Sequence, residues 1–99
     1  MNARLVAAAL ALAAVAAHAQ DNPVARSLAA TCASCHGTEG RSVTQEVASL
    51  AGLPKEHIVA QMKAFRDGTR PATVMQQLAK GYSDAQIELV ADYFSQRTR

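Results

Sequence analysis

The chain has no tryptophan and, among 99 residues, only two tyrosines and two phenylalanines. Aromatic side chains bring the largest buried areas. Their scarcity, together with many alanines, leaves a domain of this length short of apolar bulk to offset its conformational entropy. Something other than side chains is needed to fill the core. After the first 20 residues there is no convincing strand, internal repeat or low-complexity tract. A basic stripe and an acidic tail are also lacking, which argues against nucleic acid or another highly charged polymer as partner.

A long hydrophobic run is missing too. Leu5 to Ala17 is almost purely Ala, Leu and Val, yet it falls short of the roughly 20 residues of a membrane-spanning helix. Met1-Asn2-Ala3-Arg4 gives a short basic start, and Ala17-His18-Ala19 has the small-x-small form of a signal-peptidase site. Residues 1–19 therefore read as a signal peptide cleaved after Ala19, with one domain over 20–99, exported to the periplasm. No cysteine follows the expected cut, so no lipid anchor is expected there. Cleavage removes Arg4 and no acidic residue, so ten basic and eight acidic residues become nine and eight, a net charge of +1.

The remaining chain reads as three to four helices. Asp21 or Asn22 is a cap with Pro23 in the first turn, followed by Val24, Leu28 and Cys32 at spacings of four. This helix is expected to end near Cys35. Residues 37–52 hold three glycines and short polar residues, a loop suited to wrapping a ligand. Pro54 opens a helix with Ile58, Met62 and Phe65 on one face, stopped at Asp67-Gly68, and a short segment from Ala72 to Lys80 closes with Gly81. Ser83-Asp84-Ala85-Gln86 is a capping box, followed by Ile87, Val90, Ala91 and Phe94 on the apolar face of a last helix that should pack on the first.

The chemistry is concentrated in Cys32-Ala33-Ser34-Cys35-His36. Two cysteines three apart and an adjoining histidine form the pattern of covalent haem attachment. Each thiol adds to one haem vinyl group, one helical turn aligns both sulfurs with one ring edge, and His36 is carried under the iron as proximal ligand. A thioredoxin-like pair would need a preceding strand and an α/β surround. A structural zinc site would need a fourth ligand, and past the leader only His57 is left. A plain disulfide leaves the adjacent histidine unexplained. One covalent haem c follows, and its propionates bring the protein near neutrality.

The far side of the ring requires a second axial ligand, with Met62, Met75 and His57 as candidates. Met62 lies between Ile58 and Phe65 on an apolar face and reads as core filler. His57 adjoins Lys55 and Glu56 and reads as solvated. Met75 follows the connection Arg70-Pro71-Ala72-Thr73-Val74 and is free to approach the iron, so it is the expected distal ligand. A thioether raises the reduction potential relative to a second histidine and leaves no open position. Electron transfer is then the expected role, ahead of a haem enzyme or gas sensor in which Met75 dissociates.

With these residues located, the chain from residue 20 onward resembles the class I c-type cytochromes, and within them the cytochrome subunit of flavocytochrome c sulfide dehydrogenase. The resemblance rests on Thr31-Cys32-Ala33-Ser34-Cys35-His36-Gly37-Thr38, Ser49-Leu50-Ala51-Gly52-Leu53, Thr73-Val74-Met75, and Ala79-Lys80-Gly81-Tyr82-Ser83-Asp84 leading to Ala91-Asp92-Tyr93-Phe94. It implies an all-α class I fold around one haem, with the Met75 segment over the ring's other face. It also implies a heterodimer with a flavoprotein that holds FAD and oxidises sulfide, and a soluble cytochrome or other acceptor beyond. This chain would carry electrons and have no catalytic residues of its own. A free soluble monohaem carrier between periplasmic complexes is the alternative. Some relatives carry two haem domains, but this chain has one attachment motif. Where relatives often have prolines, it reads Thr44-Gln45-Glu46-Val47-Ala48, which leaves open the carbonyl that orients His36.

Overall fold

A computed structural model describes residues 22–99. The expected leader, residues 1–19, and its expected cleavage site lie outside the described residues. The elements are α1 (Pro23–Ala30), α2 (Ala33–His36), a single 3-10 turn (Thr38–Gly40), α3 (Lys55–Asp67), α4 (Met75–Ala79) and α5 (Asp84–Ser95), with no strand among the described residues. The all-α expectation holds, with three longer helices and two short ones.

Asn22 caps α1, its side-chain oxygen accepting from the amides of Val24 at 2.9 Å and Ala25 at 3.2 Å. The stripe of fours beginning at Val24 is not the buried face. Val24 is 57% exposed, whereas Ala25 and Ala29 are each 2% exposed. Small side chains let the backbones of α1 and α5 approach closely, and these two helices pack together as expected. α1 also stops at Ala30 rather than near Cys35. The Thr31 hydroxyl donates to the Leu28 carbonyl at 2.9 Å and the Cys32 amide to the Ala29 carbonyl at 3.0 Å. That tightens the turn before α2 restarts.

α3 begins after Pro54 and ends at Gly68, which is left-handed and donates its amide back into the last turn. Its Ile58 and Met62 are buried against α4 and α5. Only Met75–Ala79 of the expected 72–80 segment is helical. Pro71 has no amide hydrogen to give a helix, and residues 69–74 run as an irregular connection held by Gln76, which donates to the Arg70 carbonyl at 3.0 Å. The capping box of α5 is fully made: the Gln86 amide donates to Ser83 Oγ at 3.2 Å, and the Ser83 amide to Gln86 Oε1 at 3.0 Å. Ile87, Val90, Ala91 and Phe94 are all buried, as their spacing requires.

Candidate functional site

The expected site residues sit on the two short helices and, for Cys32, on the turn that leads into α2, and both helices flank one core. Cys32 and Met75 pack, half-exposed, on the buried cluster that holds Ala29, Met62, Ile87 and Phe94. Leu28, Leu50 and Leu53 lie in the same half-buried rim, while Val74 and Leu78 of the Met75 segment are 56% and 51% exposed. A domain this small does not leave so much apolar surface half-covered without cause. Met62 is buried in the core and His57 is exposed, matching the core-filler and solvated readings of these two.

Cys32 and Cys35 form no disulfide with each other. Burial pushes the Cys32 thiol above its ordinary value. His36 closes α2, its amide donating to the Cys32 carbonyl at 2.9 Å. Its Nδ1 lies 2.7 Å from the Ala48 carbonyl oxygen. A carbonyl only accepts, so Nδ1 carries the hydrogen and Nε2 of the neutral ring keeps its lone pair for a metal. The sequence left this carbonyl open. It is supplied by a loop residue twelve positions away, for which no side-chain pattern could have served as a signal.

The loop that brings Ala48 to His36 is tied down along its length. The Leu50 and Ala51 amides donate to the Gly40 carbonyl at 2.7 and 3.1 Å, the Gly52 amide to the Phe94 carbonyl at 2.9 Å, and the Ser42 amide to Ser49 Oγ at 2.9 Å. At its base Arg41 donates twice to Thr98, to the carbonyl and to Oγ1, each at 2.8 Å. Arg97 lies over the Tyr93 ring at 4.3 Å and reaches Glu39 at 3.4 Å. The last residues thus anchor the loop that fixes the histidine. Their arginines carry no periodic signal, and sequence reasoning missed them.

This donor set fits haem. Among the described residues no three His, Cys, Asp or Glu side chains gather into a protein-only metal cage. The two thiols one turn apart, the imidazole beside them with Nε2 bare, and the half-covered apolar rim suit a flat apolar macrocycle. Among the described residues no helix is long and apolar enough to cross a membrane.

Comparison with known proteins agrees. The cytochrome c family model matches residues 23–98. The cytochrome subunit of sulfide dehydrogenase from Chlorobaculum tepidum is 42% identical over 67 residues, which are 68% of this chain and 60% of that protein. Cytochrome c-554(548) of Halomonas halodenitrificans is 37% identical over 68 residues, covering 66% of this chain and 82% of that one. A solved structure of Acidithiobacillus ferrooxidans cytochrome c4 superposes with a TM-score of 0.62 at 39% identity, over 65% of this chain and 37% of that one. The chain thus spans less than two thirds of the sulfide dehydrogenase subunit and well under half of cytochrome c4. With a family match running from α1 to the end of the chain, it belongs to the cytochrome c family: an all-α, class I electron-transfer protein with covalently bound haem c.

Proposed function

We propose that Cys32 and Cys35 hold one haem by thioether bonds, that His36 Nε2 is the proximal iron ligand and Met75 the distal one, and that the chain accepts electrons from a flavoprotein that oxidises sulfide. The observation that carries the site assignment is the 2.7 Å contact of His36 Nδ1 with the Ala48 carbonyl, which leaves Nε2 free on the turn that bears both thiols. When bound, the haem supplies one-electron chemistry at iron. The chain's own residues do the rest. Ala48 fixes the tautomer and orientation of the imidazole, raising its basicity toward a metal. Leu28, Leu50 and Leu53 offer apolar cover, and Met75 lies on the same core from the α4 side. A soft thioether from Met75 would favour ferrous iron and would fill the position that oxygen chemistry needs.

The sulfide dehydrogenase assignment is supported by the 42% identity to such a subunit. The partner would hold FAD and deliver electrons singly, and a soluble acceptor would take them onward. Residues 1–19 would be the leader that sends the domain, residues 20–99, to the periplasm. A second reading is a free soluble carrier: the chain matches 82% of cytochrome c-554(548), whose name ties it to no dehydrogenase. To decide between them, the tagged protein is isolated from its host and its co-purifying flavin is measured along with haem reduction by sulfide. A flavin-containing partner and sulfide-reducible haem are expected. Elution alone, with a haem that sulfide never reduces in host extract, sinks the subunit reading and leaves the free carrier. For the ligands, Met75→Ala should abolish the red-region thioether-to-iron absorption band, while Met62→Leu and His57→Gln keep it.

A further inference from the structure

Two short segments hold the proposed iron ligands, and one side-chain hydrogen bond runs between them. Tyr82 Oη lies 2.9 Å from Thr31 Oγ1, joining positions 51 residues apart. Thr31 immediately precedes Cys32 and lies 4.0 Å from its sulfur. Tyr82 follows the helix that begins at Met75, and its amide donates to the Ala79 carbonyl at 3.2 Å. The direction of the bond follows from counting protons. Thr31 has one hydroxyl hydrogen and gives it to the Leu28 carbonyl at 2.9 Å, so Tyr82 donates and Thr31 accepts.

Tyr82 is itself held from a third side. Arg66 of α3 donates to the Tyr82 carbonyl at 3.3 Å and pairs with Asp84 at 2.7 Å. The ring packs half-buried on the core cluster. Rigid support on α3 and α5 is therefore transmitted through this one phenol to the turn that bears both thiols. Nothing in the helix periodicity requires a tyrosine at this place, since the ring lies in the turn between α4 and α5.

We infer that Tyr82 is a positioning residue for the haem site: its hydroxyl, bonded to Thr31, sets the separation between the thioether turn and the segment that presents Met75. This rests on the reading of Met75 as distal ligand. Without the bond the two segments drift relative to each other. The thioether then holds the iron less firmly, although every ligand is still present.

The test uses the full haem-loaded ferric protein and added imidazole, which competes with Met75 for iron. Loss of one exposed hydrogen bond corresponds to about a three- to fivefold change in an equilibrium constant. Tyr82→Phe should therefore bind imidazole about three- to fivefold more tightly. Thr31→Val should do the same, the double variant should gain no more than either single one, and Thr31→Ser should behave as wild type. Ser83→Ala, which removes the neighbouring helix cap, should lower stability yet leave imidazole affinity unchanged.

The inference is overturned if Tyr82→Phe and Thr31→Val leave imidazole affinity at the wild-type value, or if Ser83→Ala moves it equally. Should Tyr82→Phe yield no haem-loaded protein, the Thr31 pair decides alone. The ligand assignment is checked separately. A red-region band that survives Met75→Ala refutes Met75 as ligand whatever Tyr82→Phe does. A band that depends on Met75, with imidazole affinity indifferent to Tyr82, refutes only the positioning role.

Discussion

Gly40 and Gly68 share a positive φ and differ in surroundings, which bears on the packing of the histidine loop. Their φ angles are +77° and +78°. A Cβ added at Gly68 meets nothing within 4 Å, whereas one at Gly40 falls 2.7 and 2.9 Å from Phe94 ring carbons and 3.0 Å from the Ala51 amide nitrogen. Alanine at Gly68 should cost only the left-handed strain, about 1–2 kcal/mol. Alanine at Gly40 should cost that and a further 1–3 kcal/mol or so for overpacking. The Phe94 ring cannot easily move aside, because it is 1% exposed and meets Tyr93 edge-on at a centroid distance of 5.2 Å.

Denaturant unfolding of the haem-loaded variants at unchanged slope measures the difference. Gly40→Ala should be the more destabilised by about 1–3 kcal/mol. In a Phe94→Leu background, where the clashing ring carbons are gone, its cost should fall toward that of Gly68→Ala. Sites in contact give such non-additive results, whereas independent sites add. Equal costs for the two alanines, or strict additivity with Phe94→Leu, would refute the claim that the loop docks on Phe94 through Gly40.

Three further outcomes are expected. Phe94→Ala should cost about 3–5 kcal/mol, read from the same unfolding curves, since it empties the centre of the core. Ser83→Ala should cost about 1 kcal/mol through loss of the α5 cap. Asp84 has its carboxyl held below the usual range by a hydrogen bond from Arg66, then by the charges of Arg66 and Lys63. The stability this contributes is present above the ordinary carboxylate value and is lost as the pH falls through the lowered one. Wild type should therefore unfold at higher denaturant than Asp84→Asn at neutral pH, and the two midpoints should converge in acid. The gap should be small, because the carboxylate is largely exposed to solvent.

Much of the helical frame was legible because period and caps point the same way. Ser83 with Gln86, and Ile87 through Phe94, specify both the start and the buried face of α5. Pro54 and Gly68 bracket α3 equally clearly. The face of α1 was not legible, because alanine is as good a helix former on a surface as in a close crossing. Only the approach of α5 shows that Ala25 and Ala29 are covered while Val24 is not. The break at Thr31 was hidden for a related reason: a hydroxyl bonded to the carbonyl three residues back tightens a turn without glycine or proline to mark it. For the site, covalent attachment is written in adjacent residues. Its supports are long-range pairs, Ala48 with His36, Tyr82 with Thr31 and Arg41 with Thr98, and no local pattern encodes them.

That division follows from helix length. α1 and α3 are each long enough to bury an apolar face against α5, and that packing stabilises all three. α2 has four residues and α4 has five, far below the length at which a helix sustains itself. Segments that short keep their shape only through contacts with something else. The proposed ligands lie on them, so the geometry of the iron site depends on what ties them to the frame: the packing of α4 on α3, with Ala79 buried in the core, and a few hydrogen bonds. The Ala48 carbonyl holds α2 through the imidazole, and Tyr82 holds the preceding turn to the end of α4. Bonds of this kind contribute little to global stability, yet they set how a ligand is presented. Ligand affinity and spectra should therefore respond to Tyr82 and Thr31 more than unfolding does, and the reverse should hold for Phe94 and Ser83.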